Sequence, residues 1–184
     1  MRADIAQILV DSETIARTVE RIAKKINVDY RGKNLCLVCV LKGSLPFTAD
    51  LMKYITIPTQ LETIRVSSYG SGTASSGKVR VLYDSMPEDL SGLDILLVED
   101  IVDSGNTMSA LVPALLARGA ASVRVCALLD KPMRRVVPFE ADYIGLAIPD
   151  AFVVGYGLDY NEHYRNLPYI GVLHPSVYTV CEHG

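Results

Sequence analysis

Apolar positions along this chain follow two periods, and the change from one to the other sets the expected elements. From Asp11 onward, Ile15, Val19, Ile22 and Ile26 recur at spacings of three and four, with Asp11 placed to cap and Glu13 in the first turn. This predicts an amphipathic helix. Short apolar runs bounded by turn residues follow: Leu35 to Leu41, Thr63 to Ser67, Val79 to Tyr83, Ile95 to Val98, Val123 to Leu129, Tyr143 to Ile148, and Ile170 to Leu173. Each reads as a strand. Helical patterns over Phe47 to Tyr54 and over Met108 to Arg118, the latter closing at Gly119, separate several of them. The alternation predicts an α/β fold: an open, mostly parallel twisted sheet with helices on both faces. Burial of the strands on both faces accounts for runs that are uniformly apolar rather than alternating.

Two features interrupt this regularity. Pro113 falls inside a helical pattern, where it removes a backbone donor and clashes one turn back, so a kink is expected. The stretch Ser67-Ser68-Tyr69-Gly70-Ser71-Gly72-Thr73-Ala74-Ser75-Ser76-Gly77 has too few apolar groups to pack itself down. It should join two strands as a mobile antiparallel hairpin.

Composition narrows the picture only in part. With 184 residues, 49% of them apolar, the chain suits a single domain spanning residues 1–184. Eighteen basic against twenty-one acidic side chains leave a net charge of −3, which argues against a general attraction to nucleic acid or to an anionic membrane. The N-terminal stretch Met1 to Gln7 lacks a basic region followed by an apolar run, and no apolar run approaches the roughly 18 residues of a membrane span. A cytoplasmic location is expected. Cys36 and Cys39 form a CxxC, but inside a buried strand their side chains point to opposite faces, and no second ligand pair accompanies them. They read as core residues.

The informative stretch is Leu96-Leu97-Val98-Glu99-Asp100-Ile101-Val102-Asp103-Ser104-Gly105-Asn106-Thr107. In parallel α/β sheets ligands bind beyond the carboxyl ends of strands, which is where these acidic residues begin. Asp103 to Thr107 is a hydroxyl-rich turn with one glycine, leading into a helix whose first amides have no internal partner. That is an anion cradle. It has neither the lysine of a GxxxxGK[ST] loop nor the glycines of GxGxxG, so it suits one terminal phosphate rather than a nucleotide pyrophosphate. Neighbouring carboxylates about 4 Å apart repel by about 1 kcal/mol in water and about 4 kcal/mol near a protein surface. A sugar diol that donates to them and a hard cation such as Mg²⁺, itself carrying a polyphosphate, would relieve that repulsion. An ordinary acidic helix cap is the plainer alternative.

Val98 to Thr107 resembles the signature of the phosphoribosyltransferases for phosphoribosyl pyrophosphate: an apolar run, two acidic residues, then an Asp-Ser/Thr-Gly loop. Three further segments resemble the bacterial hypoxanthine-guanine members: Leu128 to Pro132, Ile148 to Tyr160, and Tyr164 to Tyr169. The resemblance runs from about Tyr30 to Tyr178 and implies purine salvage. The 5-phosphoribosyl group would pass from phosphoribosyl pyrophosphate to N9 of hypoxanthine or guanine, giving IMP or GMP and pyrophosphate. It also implies a core over about residues 12–148, a flexible hairpin lid, and a small C-terminal hood over about 149–178 with N-terminal residues.

By the same resemblance, Asp103 is catalytic and shares the proton on purine N7, and Ser104, Gly105, Asn106 and Thr107 bind the 5′-phosphate. Glu99, Asp100 and Asp159 contact substrate and Mg²⁺. Lys131 donates to the exocyclic oxygen of a 6-oxopurine, Phe152 stacks on its face, and Val153 offers backbone groups to its edge. Lys42 and Gly43, with Arg165, meet pyrophosphate; Ser68 and Tyr69 belong to the lid. Taken alone, Phe152 reads as core, and Lys131, Asp159 and Arg165 as solvated charges. Ala151 beside Phe152 departs from the usual pattern and leaves the preference for guanine over hypoxanthine open, with xanthine a weaker candidate. A regulatory RNA-binding or DNA-binding relative would need a basic surface that the charge balance does not supply. The partners expected are therefore small molecules, and the resemblance implies a homodimer or homotetramer.

Overall fold

The computed structural model describes residues 2–68 and 79–178. In chain order the elements are β1 (Ile5–Val10), α1 (Ser12–Asp29), β2 (Leu35–Leu41), α2 (Leu45–Tyr54), β3 (Thr59–Ser68), β4 (Val79–Asp84) and β5 (Asp94–Val102). They continue with α3 (Asn106–Ala117), β6 (Ser122–Asp130), β7 (Tyr143–Ala147), β8 (Val153–Val154), β9 (Ile170–Leu173) and α4 (Pro175–Tyr178). A six-stranded sheet has the order β4-β3-β2-β5-β6-β7, parallel throughout except for β4 against β3. β1, β9 and β8 form a separate antiparallel sheet.

Residue alternation along β2 explains the layers. Leu35 and Leu37 pack with Ile15, Val19 and Ile22 of α1 and with Phe47 and Leu51 of α2 on one face. Cys36, Val38 and Val40 pack with Met108, Leu111 and Leu115 of α3 on the other. Helices thus cover both faces, and the side chains of β2 are uniformly buried up to Leu41. Asp11 caps α1 by accepting from the Thr14 N–H at 2.7 Å. Helix α3 runs through Pro113 without ending there.

Three expectations change. The outer strand β4 is not buried: Val81, Leu82 and Tyr83 are exposed at the sheet edge. β1 and β8 were not legible as strands, because β1 is largely exposed and β8 has only two residues. Most consequentially, β5 does not stop at Val98. It pairs with β2 only up to Cys39↔Val98, but with β6 through Val102↔Asp130. Glu99 and Asp100 therefore lie within a strand, on a stretch whose β2-facing edge is free. Tyr69 and the glycine-rich segment after it lie outside the described residues, while Ser68 closes β3.

The strand order reverses between β2 and β5: the chain moves outward through β3 and β4 on one side, and through β6 and β7 on the other. A crevice forms at such a switch point, beyond the carboxyl ends of the two strands. Lys42, Gly43 and the whole run from Glu99 to Thr107 sit there.

Candidate active site

Asp100 and Gly43 make the floor of the crevice. A methyl group on Gly43 would overlap the Asp100 carboxylate, and one on Gly157 would overlap the Gly43 carbonyl oxygen, so these backbones approach as closely as glycine permits. The Leu41-Lys42 peptide is cis. Burial, together with the neighbouring Asp100 charge, pushes the Glu99 carboxyl well above the usual carboxylate range. Burial also raises Asp100, opposed by the hydrogen bond its Oδ1 accepts from the Ile101 N–H at 2.7 Å and by the charge of Arg165. In the ligand-free chain burial therefore works against ionisation of both acids.

Next comes the loop. Gly105 takes φ 85°, a left-handed conformation, and caps α3 without a side-chain hydrogen bond. The amides at the start of α3 face a cavity of about 80 Å³ bordered by Glu99, Asp103, Ser104, Gly105 and Thr107, with Asn106 opening the helix. Its size suits a phosphate group more than a nucleotide. Arg135, which the sequence reading did not single out, fixes the start of this loop. Its guanidinium donates to the carbonyls of Val102, Asp103 and Phe139 and to the Asp130 carboxylate, while Val136 N–H donates to Ser104 O. An adjacent arginine pair after a strand-ending aspartate was the available signal.

A second cavity, of about 190 Å³, adjoins the first and shares Ile101 and Asp103 with it. Lys131, Phe152 and Val153 line its far side, so the structure brings together the residues assigned to the purine. Lys131 is 8% exposed, and its Nζ lies 4.0 Å from Asp150 Oδ1. Val153 is buried in β8, while Phe152 remains half-exposed, stacked on Tyr178 with centroids 5.0 Å apart and edge-on to Tyr160. Tyr178 was missed, and only its closeness to the end of the resemblance could have drawn attention to it. Arg134 also borders this cavity, with Nε 2.8 Å from Asp103 Oδ1 and Nη1 3.3 Å from Asp150.

Asp159 and Arg165 meet beside Gly157. Arg165 Nη1 donates to Gly157 O at 2.7 Å, and Nη2 lies 2.8 Å from Asp159 Oδ1. Lys42 pairs with Glu162, whose carboxyl Lys42 and Arg165 hold below the usual range.

Four buried side-chain polar atoms among the described residues lack an aligned hydrogen bond, and three are here: Glu99 Oε2, Asp103 Oδ1 and Arg165 Nε. Asp103 Oδ1 faces Arg134 Nε at 2.8 Å without an aligned hydrogen bond, and since buried polar groups are normally paired, the open Glu99 and Arg165 atoms mark a place for something else to bind. No three acidic, histidine or cysteine side chains among the described residues cluster as a ready cation cage. The unpartnered Glu99 oxygen is a donor of the kind a hard divalent ion takes together with substrate and water oxygens.

Comparison with known proteins gives a consistent result. A model of the phosphoribosyl transferase domain matches residues 6–161. The chain is 47% identical over 178 residues to the hypoxanthine-guanine phosphoribosyltransferase of Bacillus subtilis, covering 97% of this chain and 98% of that one. It is 48% identical over 176 residues to the enzyme of that name from Streptococcus pneumoniae, covering 96% and 97%. The bifunctional protein TilS/HprT of Listeria innocua matches at 45% identity over 97% of this chain, which spans only 28% of that protein's length. Among solved structures, a hypoxanthine phosphoribosyltransferase from Staphylococcus aureus superposes with a TM-score of 0.93 at 41% identity, covering 98% of this chain and 97% of that one.

Proposed function

The chain belongs to the phosphoribosyl transferase family, and we propose that it is a purine-salvage pentosyltransferase that moves the 5-phosphoribosyl group from phosphoribosyl pyrophosphate to N9 of hypoxanthine and of guanine. The single observation carrying this reading is the pair of adjoining cavities that meet at Asp103: a phosphate-sized one under the α3 amides, and a larger one bordered by Lys131 and Phe152.

In this reading the α3 amides, with the Ser104 and Thr107 hydroxyls, hold the 5′-phosphate. Glu99 and Asp100 accept from the ribose hydroxyls. Glu99, Asp100 and Asp159 would hold Mg²⁺, which supplies charge neutralisation for a departing pyrophosphate. Lys42, the Gly43 backbone and Arg165 receive that leaving group, Arg165 through a fork of donors. Ser68 and Tyr69 complete the lid. Lys131 donates to the exocyclic oxygen, Phe152 stacks on the ring, and Val153 meets its edge. The anomeric carbon passes through an oxocarbenium-like state as its bond to pyrophosphate breaks and N9 attacks, while Asp103 takes or shares the N7 proton.

A homodimer or homotetramer belongs to the same proposal, supported by exposed Leu45 and Met52 on α2. So does cytoplasmic operation, in keeping with the free thiols Cys36, Cys39 and Cys126. The test is an initial-rate assay with phosphoribosyl pyrophosphate and Mg²⁺ and, in turn, hypoxanthine, guanine and xanthine. IMP and GMP with stoichiometric pyrophosphate are expected, with xanthine used more slowly; absence of nucleotide from hypoxanthine and guanine rejects the reading.

A further inference from the structure

The two cations assigned to pyrophosphate are not free to receive it. Lys42 Nζ lies 3.1 Å from each carboxylate oxygen of Glu162, and Arg165 Nη2 lies 3.2 Å from Oε2 of the same group. One carboxylate therefore bridges two cations that reach the crevice from different ends of the fold, Lys42 lying 120 residues away in sequence.

The backbone is arranged to put it there. Asn161 and Glu162 have φ of 50° and 65°, consecutive left-handed residues of the kind found at the centre of a two-residue hairpin turn. Tyr160 and His163 close that turn by exchanging backbone hydrogen bonds at 3.2 and 3.0 Å. The Glu162 N–H donates to Asp159 Oδ2 at 2.9 Å, which ties the turn to the same Asp159 that Arg165 contacts. Asn161 suits the first of these positions, and the left-handed Glu162 after it is fixed by the turn.

We propose that Glu162 is an internal competitor for the pyrophosphate subsite: its carboxylate occupies Lys42 and Arg165 in the empty enzyme, yields them to the entering cosubstrate, and reclaims them as pyrophosphate leaves. The inference rests on the assignment of Lys42 and Arg165 made above. A planar, singly charged carboxylate offers two oxygens to the two cations, whereas pyrophosphate offers two phosphoryl groups and several charges, so the polyanion wins the exchange. Orthophosphate, with one phosphoryl group, competes less well. Glu162 is thus a positioning residue that sets cosubstrate affinity through Lys42 and Arg165 without touching the reacting atoms.

The test compares steady-state kinetics of wild type, Glu162→Gln and Glu162→Asp, with inhibition by pyrophosphate and by orthophosphate. Exposed ion pairs of this kind are individually weak. Glu162→Gln should therefore lower KM for phosphoribosyl pyrophosphate and Ki for pyrophosphate about three- to tenfold, make orthophosphate a stronger inhibitor, and leave KM for hypoxanthine unchanged. Glu162→Asp, which keeps the charge, should return most of the way to wild type. An unchanged or raised KM for phosphoribosyl pyrophosphate in Glu162→Gln overturns the proposal, and a raised one would mean that Glu162 prepares the cations for binding. Lys42→Met and Arg165→Gln are run alongside. If both leave pyrophosphate inhibition intact, the assignment of those cations is wrong and the proposal falls with it, whatever Glu162→Gln does.

Discussion

At the end of the crevice proposed for the phosphoribosyl group the contributing residues are consecutive, Glu99 to Thr107, and two of them bury a carboxylate oxygen without an aligned hydrogen bond. At the base and pyrophosphate end, Lys42, Lys131, Asp159 and Arg165 arrive from separate segments, and each already has a charged neighbour. Glu99 Oε2 is left open to a ligand and Asp103 Oδ1 faces only Arg134 Nε at 2.8 Å, whereas the second region holds several charged partners that a ligand must displace. Buried acids held together by fold geometry carry an electrostatic cost that a ligand removes. Exposed pairs such as Lys42–Glu162 carry little, so they can be exchanged cheaply as substrates come and go. On the proposed assignment, the difference teaches that affinity for the sugar and its phosphate rests on the scaffold, while binding of base and pyrophosphate rests on exchange of side-chain partners.

The harshest way to break that comparison is to disturb the scaffold where the two regions touch. Gly43→Ala places a methyl group onto the Asp100 carboxylate. Because displacements near 1 Å at a reacting site cost about a hundredfold, kcat/KM should fall by at least that order, with circular dichroism still showing a folded chain. Retention of near wild-type kcat/KM would show that the acidic pair tolerates movement. A smaller effect is expected at the base end. Phe152→Ala removes a half-exposed stacking surface, and base-aromatic stacking is worth about 1–3 kcal/mol. KM for hypoxanthine should rise about five- to a hundredfold while KM for phosphoribosyl pyrophosphate stays within about twofold; equal loss of both would erase the division between the regions.

The mildest effect concerns stability. Burial raises the Glu99 pKa in the fold, so the folded state prefers the protonated acid. As pH rises through that raised value, ionisation is resisted in the folded chain but not in the unfolded one, and stability is lost. Glu99→Gln should raise the Tm of the ligand-free protein by a few degrees at neutral and alkaline pH, with the gain shrinking as pH falls. Thermal melts across pH check this, and a Tm below wild type at pH 8 would contradict it.

Contiguity decided what was legible. The phosphate loop could be read because its acids, hydroxyls and glycine are neighbours in sequence, and β2 and β9 because a buried strand writes itself as an apolar run. The extension of β5 through Glu99 and Asp100 could not, because it depends on β2 ending its pairing at Val98 while β6 continues. Arg134, Arg135 and Glu162 were missed for a related reason: each is an ordinary surface-type charge whose meaning lies in a partner from another segment. Lys131, Phe152, Asp159 and Arg165 were assigned only through family resemblance, since their own patterns read as core or solvent.

The most direct test of this division of labour is calorimetric titration of phosphoribosyl pyrophosphate with Mg²⁺ into wild type, Asp103→Asn, and the double variant Glu99→Gln/Asp100→Asn, with turnover measured on the same samples. The account predicts that Asp103→Asn binds the cosubstrate within about threefold of wild type while kcat falls about a hundred- to ten-thousandfold, and that the double variant loses at least tenfold in binding. Wild-type affinity in the double variant, or wild-type turnover in Asp103→Asn, would contradict it.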